Sequence, residues 1–156
     1  MPVTVVNLQR KTRIDTAIVR EFSRQIVNTV PEALSKAFSV AFVSDLRMKE
    51  LNNFFRGKDS TTDVLSFPHD PDEFELKAPV APAPDPDASA DLGYQFLGDI
   101  VISAEQAARQ AEENGLPLDG EIKQLILHGL LHLCGYDHET DSGQMLALQA
   151  RVLERL

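Results

Sequence analysis

Residues 125–134 read LILHGLLHLC, a run that is apolar on every side of a helix except at two histidines. A helix with no polar face has to lie in the interior, so the rest of the chain must be built around it. Imidazoles carried inward on such a helix are costly unless something pairs with them, and a bound cation removes that cost. His128 and His132 are four residues apart, which places both rings on one face, about 6 Å apart along the axis. Gly135 suits a left-handed C-terminal cap, where a side chain would carry a steric penalty. The chain then turns through Tyr136 and Asp137 and brings His138 back toward the pair. Three imidazole nitrogens on one tetrahedral ion leave its fourth position open to water, the arrangement of a catalytic site with one zinc per chain. A histidine pair at this spacing alone more often decorates a surface or fills a core. Here three of the chain's four histidines fall within eleven residues, with Gly135 and His138 at suitable offsets, and that favours the metal.

A chain of 156 residues is long enough for one domain with its own core. The lone cysteine, Cys134, excludes a disulfide scaffold and fits a reducing cytoplasm. Two positions from His132, it points to the far side of the helix and reads as core filler rather than a fourth ligand. The opening MPVTVVNLQR is too short and polar for a signal peptide, and no apolar run approaches eighteen residues. A soluble, cytoplasmic protein with no membrane partner is therefore expected. The net charge of −9 argues against nucleic acid as a partner. Its distribution is uneven, however. Residues 1–67 carry ten Lys/Arg against seven Asp/Glu, whereas residues 68–95 set Lys77 against seven acids. The first portion can present a basic surface.

The pattern along the chain predicts a strand over Val3–Leu8 and a helix from Ile14 to near Pro31, with Ile18, Val19, Phe22, Ile26 and Val27 at helical intervals. Ser39–Val43 reads as a second strand, parallel to the first. Ser44 or Asp45 caps the next helix, whose apolar side is expected to include Leu46, Leu51, Phe54 and Phe55. Gly57 ends it, and Val64–Phe67 is a strand closed by Pro68. Six of the nine prolines then fall in residues 68–95, which suggests a Pro/Asp-rich mobile surface insertion at about 69–95 between two sheet strands. Phe96–Ile102 reads as the next strand. Ser103 and Gln106 form a capping box for a helix ending at Gly115. The histidine helix starts near Leu118, and a final helix uses Met145, Leu148, Val152 and Leu156. The predicted class is α+β: a mixed sheet of about four strands with about five helices in a single domain.

The offsets of His128, His132, Gly135 and His138 match those of metalloproteases built on H-E-x-x-H-x-x-G-x-x-H, in which the glutamate is the general base. Gly129 stands at that position, which disfavours peptidase chemistry because a general base contributes about 10²- to 10⁴-fold. In FFRGKDSTTDVLSFP (54–68), Arg56 and Lys58 flank Gly57 in a turn between a helix and a strand. A guanidinium in such a turn suits a phosphate, which it can grip through two parallel hydrogen bonds.

HGLLHLCGYDH (128–138), FRGKDSTTDVLSFP (55–68) and LGDIVIS (97–103), in their order along the chain, resemble the signatures of the YbeY family of bacterial endoribonucleases. The resemblance covers nearly the whole chain except the insertion. It implies a zinc-dependent, single-strand-specific endoribonuclease acting in rRNA maturation at the 3′ end of 16S rRNA and in ribosome quality control. RNA and the ribosome or a small-subunit precursor would be its partners. Under the resemblance His128, His132 and His138 hold the zinc and Arg56 is the catalytic arginine. Lys58 is a candidate for holding the RNA backbone, Asp137 for orienting a ligand histidine, and His69 matches no family ligand. Water and the ribose 2′-hydroxyl both stay open as the attacking group. The rival readings are a non-catalytic ribosome-assembly factor with structural zinc and a metal-dependent peptidase.

Overall fold

Strand β2 (Lys36–Val43, KAFSVAFV) shows no alternation of polar and apolar residues because both of its faces are covered, and every residue after Lys36 is buried. It occupies the middle of a four-stranded sheet in the order β1-β2-β4-β3, with β1 (Val3–Asn7), β3 (Val64–Pro68) and β4 (Gln95–Ser103). The first three in that order run parallel, and β3 pairs antiparallel with β4 at the sheet edge. The sheet is therefore mixed, and the segment between β3 and β4 joins neighbouring strands. The computed structural model describes residues 3–34, 36–69, 95–136 and 143–154. Residues 70–94 of the predicted insertion, Asp137, His138 and Leu156 lie outside the described residues.

Five α-helices are present among the described residues, so the predicted class and element count are observed. Helix α1 (Thr16–Thr29) is capped by Asp15, whose carboxylate accepts from the amides of Ala17 and Ile18. It lies with α4 (Leu118–Leu133) on one face of the sheet. There Val19, Phe22, Ile26, Phe38, Phe42, Ile100, Ile102, Leu127 and Leu130 form the main core. Each such side chain contributes roughly 1.5–3 kcal/mol through removal from water. Helix α5 (Gln144–Glu154) is held to this core by Met145 and Val152. Helix α2 (Asp45–Arg56) covers the opposite face, where Met48 and Leu51 meet Val43, Leu65 and Val101. Among the described residues no helix is long and apolar enough to cross a membrane.

Several details differ from the sequence reading. Helix α1 begins at Thr16 rather than Ile14, and Ile18, expected on its apolar side, is 37% exposed. Leu46 and Phe54, expected on the apolar side of α2, are 70% and 66% exposed. The buried stripe is instead Met48, Leu51 and the half-buried Phe55, which packs edge-on against Phe67. Asn52 shares that side because its amide nitrogen donates to the Ser60 carbonyl at 2.8 Å. The capping box of α3 (Ala104–Asn114) is only half made. Ser103 Oγ accepts from the Gln106 amide at 3.2 Å, but the Ser103 amide donates to Asp63 O at 2.9 Å and so extends the sheet.

The LGDIVIS segment contains a β-bulge. Ala37 pairs with Phe96 and Ser39 with Asp99, so β4 carries one more residue than β2 across this interval. Gly98 supplies the bend with a φ of 144°, and a Cβ there would overlap the Phe67 carbonyl oxygen of β3. The bulge turns Asp99 toward β2, where it accepts a hydrogen bond from the buried Ser39 hydroxyl. Replacing Gly98 with alanine is expected to destabilise the fold by about 3 kcal/mol. Denaturant unfolding measures this, and a loss below ~0.5 kcal/mol, the range of an ordinary surface change, would refute the steric account.

Candidate active site

Helix α4 carries the two histidines, and its C-terminus is built by the glycine the sequence singled out. Gly135 has φ 99°; its amide donates to His132 O and that of Tyr136 to Leu131 O, both at 3.0 Å. These are the paired bonds of a left-handed helix stop. The Tyr136 hydroxyl then donates to Glu32 Oε1 at 2.6 Å, fastening the chain just past the helix to the turn before β2. The Glu32 carboxylate raises the Tyr136 pKa, chiefly through this hydrogen bond. Cys134 caps the helix half-buried against the core, as predicted, and burial with the nearby Glu32 charge pushes its thiol to about 11.

His128 and His132 come together as their spacing predicts. Their Nε2 atoms are 3.1 Å apart and the rings stand at 78° to each other. Two imidazoles on a tetrahedral zinc, each bonded at 2.0–2.1 Å, place their nitrogens about 3.3 Å apart, so the pair fits a shared ion. The other nitrogen of His128, Nδ1, lies 3.3 Å from Gln149 Oε1 on α5. The predicted third ligand, His138, lies outside the described residues together with Asp137. Among the described residues alone, no three His, Cys, Asp or Glu side chains cluster as a metal site.

Both histidines open into a cleft of about 530 Å³ whose other walls come from far along the chain. Arg56, in the last turn of α2, lines it, as do Thr62 and Asp63 of the next loop and Val64, Ser66 and Pro68 of β3. The structure thus brings Arg56 and the histidine pair to one cavity. Lys58 is exposed and is not among the lining residues. His69 is exposed at the end of β3, where its ring meets Phe96 edge-on and its amide extends the ladder to Leu97 O. It is not part of the cleft lining.

The loop from Gly57 to Asp63 is held from beneath by contacts in which Asp45 and Ser103, marked by the sequence only as helix caps, have a second role. Asn52 bonds Ser60 O, Thr61 Oγ1 donates to Asp45 Oδ1 at 3.3 Å, and Ser103 N bonds Asp63 O. Asp45 is the centre of this clamp, accepting also from Ser103 Oγ and pairing with Arg109, each at 2.6 Å. Burial pushes the Asp45 carboxyl up, but the hydrogen bonds from Ser103 and Arg109, the Arg109 charge and Thr61 outweigh it, leaving a lowered pKa. A carboxyl with a lowered folded pKa contributes stability above its unfolded pKa and loses it as pH falls through the folded value. Stability should therefore drop on acidification below about pH 4. The drop should be shallower in Asp45→Asn, and identical acid titrations of the two proteins would count against the clamp.

Gly129, at the position of the missing glutamate, faces β4 rather than the cleft. A Cβ there would sit 2.9 Å from Ile100 Cγ2 and 3.1 Å from Ile100 Cγ1, in a fully buried part of the core. A glutamate cannot be accommodated in this packing. Gly129→Glu is expected to lower the thermal midpoint sharply and to confer no peptidase activity on casein. A folded variant of wild-type stability would show that α4 is free to move off the sheet.

The family model described as Endoribonuclease YbeY matches residues 4–156. This chain belongs to the YbeY endoribonuclease family. It is 37% identical over 148 residues to the endoribonuclease YbeY of Persephonella marina, covering 91% of this chain and 86% of that one. To the endoribonuclease YbeY of Nautilia profundicola it is 41% identical over 137 residues, with 87% and 84% covered. The solution structure of a Thermotoga maritima protein shares the fold at a TM-score of 0.60, with 24% identity and 97% and 87% covered. The YbeY match runs through all three segments that line or support the cleft: the histidine helix, the Arg56 turn with β3, and the bulged β4.

Proposed function

We propose that this chain is a zinc-dependent endoribonuclease that cuts single-stranded RNA in ribosomal RNA maturation, at the 3′ end of 16S rRNA, and in ribosome quality control in the cytoplasm. The observation that carries this reading is the convergence of His128 and His132 Nε2, 3.1 Å apart, in the cleft that Arg56 lines. Membership in a family of endoribonucleases supplies the substrate class. His128, His132 and His138 would hold the ion. When bound, zinc supplies a Lewis acid and lowers the pKa of a coordinated water toward about 7.

The chain's own groups account for the rest. The Arg56 guanidinium grips a phosphate through two parallel hydrogen bonds and stabilises the charge that gathers on its oxygens as the bond breaks. Its place on the final turn of α2 lets it reach the cleft while its backbone stays in the helix, and the pinned loop after it limits its range. The main-chain edge of β3 and the Thr62 hydroxyl give the cleft further polar atoms for a ribose-phosphate backbone. Lys58, exposed beside the turn, adds positive charge for approach rather than for chemistry. The buried Gly129 leaves no carboxylate at the peptidase position, which ranks RNA above peptide as substrate.

The test is cleavage of a defined single-stranded fragment spanning the 16S 3′ end, with and without chelator. The wild-type protein should cut it, lose activity to chelator and recover it with zinc. Arg56→Glu should cleave about 10²- to 10³-fold more slowly while holding the same zinc content. Equal cleavage by the variant, or cleavage indifferent to chelator, would refute this reading.

A further inference from the structure

We infer that Gln149 is a positioning residue for the ligand His128, and that through it the carboxy-terminal helix α5 forms part of the metal centre. The inference rests on the metal reading above. Gln149 Oε1 lies 3.3 Å from His128 Nδ1, and an amide oxygen can only accept, so the ring proton belongs on Nδ1. That tautomer leaves a lone pair on Nε2, the atom 3.1 Å from its counterpart on His132. Removing the acceptor takes away a hydrogen bond that favours this tautomer, and a proton on Nε2 would block the ion.

Gln149 also occupies an unusual place on its own helix. It lies four residues after Met145 and three before Val152, the two buried anchors of α5, so it sits in the stripe that faces the core. An apolar side chain there would bury more apolar surface and stabilise the helix further. The amide is half-buried and turned to the histidine instead. It ties a helix 21 residues away in sequence to the metal site, so metal binding and the docking of α5 support each other.

Zinc affinity is measured by competition with a chromophoric chelator for wild type, Gln149→Leu and Gln149→Glu. Gln149→Leu should bind about 10- to 100-fold more weakly, the cost typical of removing an outer hydrogen-bond partner of a ligand histidine. Gln149→Glu, which keeps an acceptor for Nδ1–H, should bind at least as tightly as wild type. Amide exchange adds a second reading: zinc should slow exchange across α5 in wild type and not in Gln149→Leu. A leucine variant with wild-type affinity, or α5 amides indifferent to zinc in wild type, overturns the inference. Absence of stoichiometric zinc from the wild-type protein would instead sink the metal reading itself.

Discussion

Helix α4 meets strand β4 at Gly129, where the Ile100 side chain fills the space that a Cβ would need. With that face pressed to the sheet, the helix cannot rotate. Positions 128 and 132 are turned away from the contact by roughly 100° and 60° of helix, respectively. Their rings therefore look along the sheet edge rather than into the core. The Ser66 hydroxyl donates to the Gly129 carbonyl at 3.3 Å and fixes edge strand β3 against the same point. One close approach thus sets the direction of both imidazoles and the distance of the cleft's opposite wall.

That wall is an edge strand, and its chemistry follows from being one. The Asp63 carbonyl and the His69 amide tie the two ends of β3 to β4, and Val64, Leu65, Ser66 and Pro68 line the cleft. A proline is tolerated at 68 because its nitrogen faces outward, where no ladder bond is needed. On the far face of the same strand, Phe67 continues into Phe55 and α2, whose last residue is Arg56. Arg56 and the histidine pair, on helices that cover opposite faces of the sheet, meet in the cleft beside β3, the outer strand among the described residues.

The elements were largely legible in the sequence because their signals are local. Apolar spacing, capping residues at Ser44 and Ser103, and the left-handed glycines at 57, 115 and 135 each act within a few residues. Where the reading missed, a distant contact had overridden the local pattern. Leu46 and Phe54 face solvent because Met48 and Leu51 are the ones that meet Val101 and Leu65. The second half of the capping box is absent because the Ser103 amide donates to the carbonyl of Asp63, in the loop before β3. The Asp45 clamp escaped notice because Thr61, Ser103 and Arg109 reach it from 16 to 64 positions away.

By itself the sequence determined the α+β class, the buried helix, the pairing of His128 with His132 and the family, since four-residue spacing and motif identity are fixed by covalent order. Tertiary structure alone decided that Arg56 shares their cavity, that Gln149 supports one of the rings and that Gly129 is a packing requirement. These are contacts between segments far apart in the chain, and no periodicity encodes the distance at which two folded surfaces meet.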